Sequence, residues 1–170
     1  MITKRGKKAQ GGAFGMSFSM IFSVILIIFF IAAAFFAIRF FLGFQKSSQI
    51  GLFLEDFQTE IDSAWNSNSY SADFESSLPN GIEYVCFINM SSDASSSVSS
   101  VERSIYKDIR AGSYSNNFVF YPVESAGGLS HSVIEHIQMP DENPLCLEVL
   151  NGIAKIRLEK DFNSALVEVS

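Results

Sequence analysis

Two histidines and one glutamate form the group in this sequence that comes nearest to a metal or catalytic motif. His131, Glu135 and His136 lie within one six-residue string. A helical zinc motif needs two histidines four positions apart, with the catalytic glutamate placed to meet the metal-bound water. Here the histidines are five positions apart, and on a strand such positions point to opposite faces. The spacing therefore predicts surface histidines rather than a metal site.

The serine and glycine residues form no motif that points to catalysis or to phosphate binding. No serine stands in the Gly-x-Ser-x-Gly turn that presents a hydrolase nucleophile. No glycine-rich loop has the P-loop spacing. With two histidines in the chain, an anchored hydrolase with a Ser-His-Asp site stays an alternative, although no motif supports it. We therefore predict no catalytic residue, no metal ligand and no cofactor.

The chain has two cysteines, Cys86 and Cys146, and both fall in predicted strands of the C-terminal part. An extracytoplasmic location would allow them to form a disulfide. A bridge that closes a loop of this length stabilises a fold by about 4 kcal/mol in the chain-entropy model. We expect the pair to form. The alternative is two separate buried thiols, because cysteine also packs as a small apolar residue.

One N-glycosylation sequon is present, Asn89-Met90-Ser91. It follows a predicted strand and precedes a serine-rich loop, Ser91 to Ser97, which should keep it accessible. Asn89 is therefore a candidate glycosylation site if the C-terminal part lies outside the cell.

Residues Met16 to Ile38 form a run of 23 residues without a charged residue, a proline or a glycine. About 20 apolar residues in a helix cross a hydrocarbon core of roughly 30 Å. Because lipid offers no hydrogen-bonding groups, the backbone N–H and C=O groups must bond to each other, as they do in a helix. The run therefore predicts a transmembrane helix. A buried core helix is an alternative, but so small a domain cannot cover all its faces. A removable signal peptide is another, but the run continues past the small residues Ala32 to Ala34.

Charge is divided unevenly along the chain. The first 15 residues carry four basic residues and no acidic one, which favours a cytoplasmic N-terminus. Residues 44–170 hold all 18 acidic residues and seven basic ones, a net charge of −11. Arg39 follows the apolar run, where its side chain can reach the lipid headgroups. We expect the C-terminal domain outside the cell, and its acidity argues against nucleic-acid binding.

Small residues recur every fourth position through the start of the apolar run: Gly11, Gly15, Ser19 and Ser23. Ala33 and Ala37 repeat the spacing later. Small residues four apart let two helices approach closely in lipid. This stripe predicts self-association through the transmembrane helix, and the alternative is that small residues simply fill a phenylalanine-rich anchor.

Beyond Gly43 the pattern becomes amphipathic, and apolar residues recur at steps of three and four between acidic ones. They are Ile50, Phe53, Leu54, Phe57, Ile61, Ala64 and Trp65. We expect one nearly continuous helix from about Met16 to Trp65, loosened at Gly43 or Gly51. The expected organisation is a cytoplasmic leader (1–15), a transmembrane helix (16–43), an amphipathic extension (44–66), a linker and turn (67–81) and an extracytoplasmic β-rich domain (82–170).

The C-terminal domain shows short strand patterns and one helix. Ser99 and Glu102 fit a capping box that starts a helix with Val98, Val101, Ile105 and Ile109 on its apolar face. Asn151-Gly152 favours a tight hairpin turn between two strands, 145–150 and 153–160. Further strands are expected at 82–89, 117–123, 132–139 and 165–169. The fold class is therefore α+β: one long N-terminal helix, then a small antiparallel β-sheet with one short helix.

The leader Lys7-Lys8-Ala9-Gln10, followed by a long apolar segment, resembles archaeal type IV pilin-like proteins with class III signal peptides. The resemblance implies cleavage near Ala9-Gln10 and retention of the helix as an anchor or filament core. It also implies a mostly β head. The family usually places a glutamate a few residues into the mature apolar segment, whereas Gly11 to Phe41 contain no acidic residue.

These features predict a non-enzymatic, single-pass surface protein, pilin-like in architecture. Its expected partners are the lipid bilayer, further copies bound through the transmembrane helix, or other surface proteins. A membrane-anchored ligand-binding or sensor domain that needs no filament is the alternative.

Overall fold

The computed structural model describes residues 18–112 and 116–170. The described residues divide between Phe41 and Leu42 into two compact units, which are described separately. The predicted leader, 1–15, lies outside the described residues. We call the second unit the head.

The long helix α1 spans Phe18–Trp65, 48 residues. It includes both Gly43 and Gly51, so neither glycine interrupts it. Within the head, every third or fourth residue of α1 is buried, as the amphipathic pattern predicts. The buried residues are Ile50, Phe53, Phe57, Ile61 and Ala64. Trp65, which the pattern placed on the same stripe, keeps 38% of its surface exposed at the helix end.

The described residues form eight strands in two sheets. Their bounds are β1 Tyr70–Ser77, β2 Tyr84–Phe87, β3 Phe118–Tyr121, β4 His131–Ser132, β5 Ile137–Gln138, β6 Leu145–Glu148, β7 Ile153–Lys160 and β8 Val167–Val169. Sheet A has the order β1-β7-β8-β5, and sheet B has the order β4-β3-β2-β6. All pairs are antiparallel except β5 with β8. The α+β class is confirmed, and the single expected sheet is in fact two.

The linker expected within residues 67–81 is wrong for its central part. Tyr70 to Ser77 form β1, which pairs with β7 over all eight residues. Tyr70, Ala72 and Phe74 are half-buried and alternate with exposed polar residues. This alternation is the pattern of a strand with one solvated face. The high serine content of the segment led to the prediction of a loop instead.

The hairpin expected at Asn151-Gly152 has its turn but not its strand pair. Asn151 and Gly152 have φ of 55° and 74°, as a type I′ turn requires. The two segments that flank this turn pair through a single isolated bridge, between Leu150 and Ile153. β6 then pairs with β2 in sheet B, and β7 pairs with β1 and β8 in sheet A. Longer pairings with distant strands therefore replace the local one.

The strand expected over 132–139 is two short strands in different sheets. β4 pairs with β3, β5 pairs with β8, and the chain crosses between the sheets through Val133–His136, the crossover segment. The side chain of Asn117 bonds both the N–H and the carbonyl of Ile134 at 2.8 Å. Side chains thus satisfy backbone groups that a strand would pair with its neighbour.

Helix α2, Ser100–Ala111, begins with the predicted capping box. The Ser99 hydroxyl accepts from the Glu102 N–H at 3.2 Å, and the Glu102 carboxylate accepts from the Ser99 N–H at 2.9 Å. The buried face differs from the prediction, because Val101 is exposed and Tyr106 is buried beside Ile105 and Ile109. Glu102 rather than Val101 reaches sheet B, where its carboxylate accepts from the Cys146 N–H at 3.4 Å.

Sheet B has a different cover on each face. On β2, Val85 and Phe87 belong to a main core that also contains the buried stripe of α1 and the inner face of sheet A. Cys86 and Ile88, which alternate with them, belong to a second core under α2. β3 follows the same alternation, with Phe118 and Phe120 against Val119. α1 and α2 therefore cover opposite faces of sheet B.

Candidate functional site

The apolar part of α1 carries its side chains on the surface. Every side chain from Ser19 to Lys46 is exposed, and an 18-residue window of the helix has a mean hydropathy of 3.1. From Phe18 to Ile38 the helix runs for roughly 30 Å at 1.5 Å per residue. The helix is therefore long enough and apolar enough to cross a bilayer.

The predicted association stripe is described only in its second half. Ser19 and Ser23 lie one turn apart on α1, and the Ser23 hydroxyl donates to the Ser19 carbonyl at 2.8 Å. That bond keeps the hydroxyl of Ser23 close to the helix, so this face stays small. Gly11 and Gly15 lie outside the described residues, as do Ala9 and Gln10 of the expected cleavage site.

Cys86 and Cys146 form a disulfide, as the sequence predicts. They are directly opposite each other in the register of β2 and β6, with 4.1 Å between their Cα atoms. The bond therefore joins two neighbouring strands that are 60 residues apart in the chain. It lies on the side of sheet B that α2 covers.

The two histidines lie in different parts of the head, one on a strand and one in the crossover segment, and they have different neighbours. His131 is on β4, where its Nδ1 lies 3.1 Å from the hydroxyl of the buried Ser130. His136 is in the crossover segment with φ of 63°. Its ring stacks on Trp65 with 3.8 Å between centroids, and its Nδ1 lies 3.0 Å from the Asp62 carboxylate. Sequence reasoning missed this contact, because Asp62 and His136 are 74 residues apart.

Asp62 also accepts a hydrogen bond from the Gln58 amide at 2.9 Å, and the Gln58 carbonyl oxygen accepts from the Glu135 N–H at 2.9 Å. The hydrogen bond to His136, and next the one from Gln58, lower the pKa of Asp62 below its ordinary value of about 3.8. These contacts tie the crossover segment to the end of α1. No group of three or more His, Cys, Asp or Glu side chains within residues 18–112 and 116–170 is arranged to hold a metal ion.

We expect the replacement Asp62→Asn to remove a pH-dependent part of the head's stability. A lowered carboxyl pKa stabilises the fold fully above the unfolded-state value, and the contribution is lost as pH falls through the folded-state pKa. The wild type should therefore exceed the variant at about pH 6, and the gap should shrink towards about pH 3. Because the Asp62 side chain is 46% exposed, the gap should stay below about 1 kcal/mol.

Urea unfolding of the full chain in detergent measures this difference, and Trp65, the single tryptophan, reports the transition. Asp161→Asn is the matched control, since Asp161 is exposed, lies outside both α1 and α2, and makes no ion pair among the described residues. A gap between wild type and Asp62→Asn that is the same at both pH values would contradict the assignment.

The sequon residue Asn89 is half-buried just after β2. The buried Asn143 side chain bonds its N–H and its carbonyl, both at 2.9 Å. The Asn89 side-chain oxygen accepts from the Ser91 N–H at 3.0 Å. No described group bonds to the Asn89 side-chain nitrogen, and that nitrogen is not a buried unpaired atom. The atom that a glycan modifies is thus unbonded and not fully buried, and glycosylation stays a prediction.

A row of basic residues on α2 is the surface feature that sequence reasoning missed. Arg103, Lys107 and Arg110 are all exposed and share one side of the helix. They line an open groove of about 480 Å³ together with Tyr106, whose hydroxyl lies 3.1 Å from the Arg110 guanidinium. Spacings of four and three within an otherwise acidic domain were the available signal.

The protein is thus an α+β head that follows a long, exposed, apolar helix. Comparison with family models, with curated proteins and with solved structures found no match.

Proposed function

We propose that this chain is a single-pass membrane protein whose head is a non-enzymatic structural or interaction module outside the cell. The exposure of the apolar part of α1 carries this proposal. In water these side chains would form an apolar surface far larger than a soluble monomer tolerates. Lipid removes that cost, and the helix needs no protein partner to satisfy its backbone. The head begins its own core at Ile50.

Two features support the proposed orientation. The four basic residues before the apolar run favour a cytoplasmic N-terminus. The disulfide between Cys86 and Cys146 suits an oxidising compartment outside the cytoplasm. Both support an acidic head outside the cell.

We further propose that the chain acts as a pilin-like subunit. The order of a basic leader, a long apolar helix, an amphipathic continuation and a β-rich head supports this reading. The small face at Ser19 and Ser23 provides a surface for close helix approach in lipid. Processing would then fall near Ala9-Gln10, between the basic leader and the apolar run.

Fractionation and protease protection test the anchor. The chain should stay in the membrane after alkaline carbonate and after high salt, and should be released only by detergent. Protease added to intact cells should digest the head and leave a membrane-embedded fragment. Recovery in the aqueous fraction without detergent contradicts the anchor, and a head that resists protease until the cells are opened contradicts the orientation.

Cross-linking on intact cells tests the subunit role. A structural subunit should give a ladder of oligomers, and Ser19→Ile with Ser23→Ile should weaken it because the larger side chains hold helices apart. Ile21→Phe with Ile28→Phe, which enlarges side chains on the opposite face of the same helix, is the matched control and should leave the ladder unchanged. A monomer without a ladder would favour the ligand-binding or sensor alternative. Mass determination of the extracted protein reports loss of the leader.

A further inference from the structure

The cations on sheet A and the cations on α2 have different surroundings. On sheet A, Lys155 and Arg157 are neutralised by carboxylates of the same sheet at 2.9–3.0 Å. On α2, neither Arg103 nor Lys107 has an ion-pair partner among the described residues. The Arg103 guanidinium donates only to the carbonyls of the Ser95–Ser96 loop, at 3.4 and 3.2 Å. Arg103 and Lys107 therefore carry positive charge without a paired carboxylate, on a helix that also carries Glu102 and Asp108 and in a domain of strongly negative charge.

We define the basic face of α2 as Arg103, Lys107 and Arg110. Its side chains are exposed to solvent, and contacts with neighbouring residues hold part of it in place. Arg110 pairs with the exposed Asp93 at 2.6 Å and lies over the Tyr106 ring at 5.7 Å. Tyr106 is itself fixed by a 2.6 Å bond from its hydroxyl to the Ser92 carbonyl. The groove thus has the Tyr106 ring at its floor, and Arg103, Lys107 and the Arg110–Asp93 pair line its edge. The two unpaired cations suit a protein surface that carries carboxylates.

The second half of α1 offers the opposite charge. Between Gln49 and Trp65 it carries four acidic residues and no basic one. Glu55 and Asp56 are exposed and form no ion pair with any described residue. Asp62 is bound to His136, and Glu60 accepts the Tyr70 hydroxyl. We call Glu55 and Asp56 the acidic face of α1.

The two faces point away from each other across the head. α1 packs on the side of sheet B that carries Val85 and Phe87, and α2 packs on the side that carries Cys86 and Ile88. The solvent-exposed side of each helix is therefore remote from that of the other. The two charged faces of one head therefore cannot contact each other, but the basic face of one head can contact the acidic face of a neighbouring head.

We propose that the basic face of α2 docks against the acidic face of α1 in a second copy of this chain. The proposal rests on the subunit role proposed above and supplies its head contact. The contact is heterologous, because each copy contributes a different surface and leaves its other one free, so the association continues along a row. Local charge complementarity orients heads whose overall charge would otherwise keep them apart.

Charge reversal with rescue tests this contact in the full-length protein, extracted in mild detergent. Sedimentation measures the oligomers, because a cross-linker that reacts with lysine would itself respond to replacement of Lys107. Reversal on α2, Arg103→Glu with Lys107→Glu, should lower the oligomer fraction about tenfold, and reversal on α1, Glu55→Lys with Asp56→Lys, should do the same. The combination of both reversals should restore oligomers to within about twofold of wild type.

A matched control separates local contact from net charge. Arg103→Gln with Lys107→Gln makes the head more negative by two charges, and Asn68→Asp with Ser69→Glu, both exposed, makes the same change elsewhere. Only the α2 variant should lose oligomers. Oligomers that survive every reversal overturn the docking but leave the subunit role standing, whereas a monomeric wild type overturns both. Loss on α2 reversal without rescue also overturns the docking and indicates an anionic polymer or lipid headgroup on the basic face.

Discussion

The replacement Phe57→Ala should lower the free energy of unfolding of the head by about 3–5 kcal/mol. Phe57 is fully buried, and its ring meets four others, those of Phe53, Phe74, Phe87 and Phe118, at centroid distances of 5.0–6.1 Å. These rings come from α1 and from both sheets. Truncation therefore removes apolar burial and leaves a cavity at the point where α1 and the two sheets meet. A domain of this size has only about 5–15 kcal/mol in total.

Urea unfolding of the full chain in detergent, followed by Trp65 fluorescence, measures this loss. Phe162→Ala is the matched control, because the Phe162 side chain is 77% exposed and its removal should change stability by no more than about 0.5 kcal/mol. Phe57→Leu, which keeps much of the apolar volume, should cost less than Phe57→Ala. A loss for Phe57→Ala as small as that for Phe162→Ala would contradict the central place of this ring.

Removal of the disulfide by Cys86→Ala with Cys146→Ala should lower the free energy of unfolding by about 2–5 kcal/mol. The bond closes a loop of 60 residues that contains α2, β3 and the crossover segment. In the unfolded chain that closure removes many conformations, which is the main source of the stabilisation. The bond also holds β6 beside β2, although β6 is adjacent in sequence to β7 of the other sheet.

Reduction provides the internal control for this prediction. Dithiothreitol should destabilise the wild type by the same amount as the double replacement and should have no effect on the variant. The non-reduced wild type should have a mass lower than the reduced one by two hydrogen atoms. A wild type that is insensitive to reductant, with its full thiol mass, would show that the two cysteines are unpaired and would remove one support for the extracytoplasmic head.

Features that depend on near neighbours in the chain were predictable. The buried stripe of α1 follows from apolar residues at helical spacing. The capping box at Ser99 and Glu102 follows from a motif of four residues and is present as expected. The left-handed Asn151-Gly152 turn is likewise a local preference. In each case the residues that define the feature lie within a few positions of one another in the sequence.

Strand partners were much harder to predict, and β1 shows why. Its residues Tyr70 to Ser77 alternate correctly, but serine and aspartate on the solvated side gave the segment the composition of a loop. Its stability comes from β7, which lies more than 70 residues further along the chain and supplies Lys155 and Arg157 opposite Glu75 and Asp73. A composition rule cannot identify such a partner, because the pairing energy belongs to both strands.

The sequence by itself determined the helix that is apolar enough to cross a membrane, the amphipathic pattern that follows it and the acidity of the head, since these depend only on residue type and spacing. The tertiary structure alone decided that two sheets exist and that β6 and β7 separate at a tight turn. It also decided that Asp62, Trp65 and His136 meet, and that the acidic face of α1 and the basic face of α2 lie across sheet B from each other. Those outcomes depend on which strand edges pair and which faces are buried, and both are set by contacts between segments far apart in the chain.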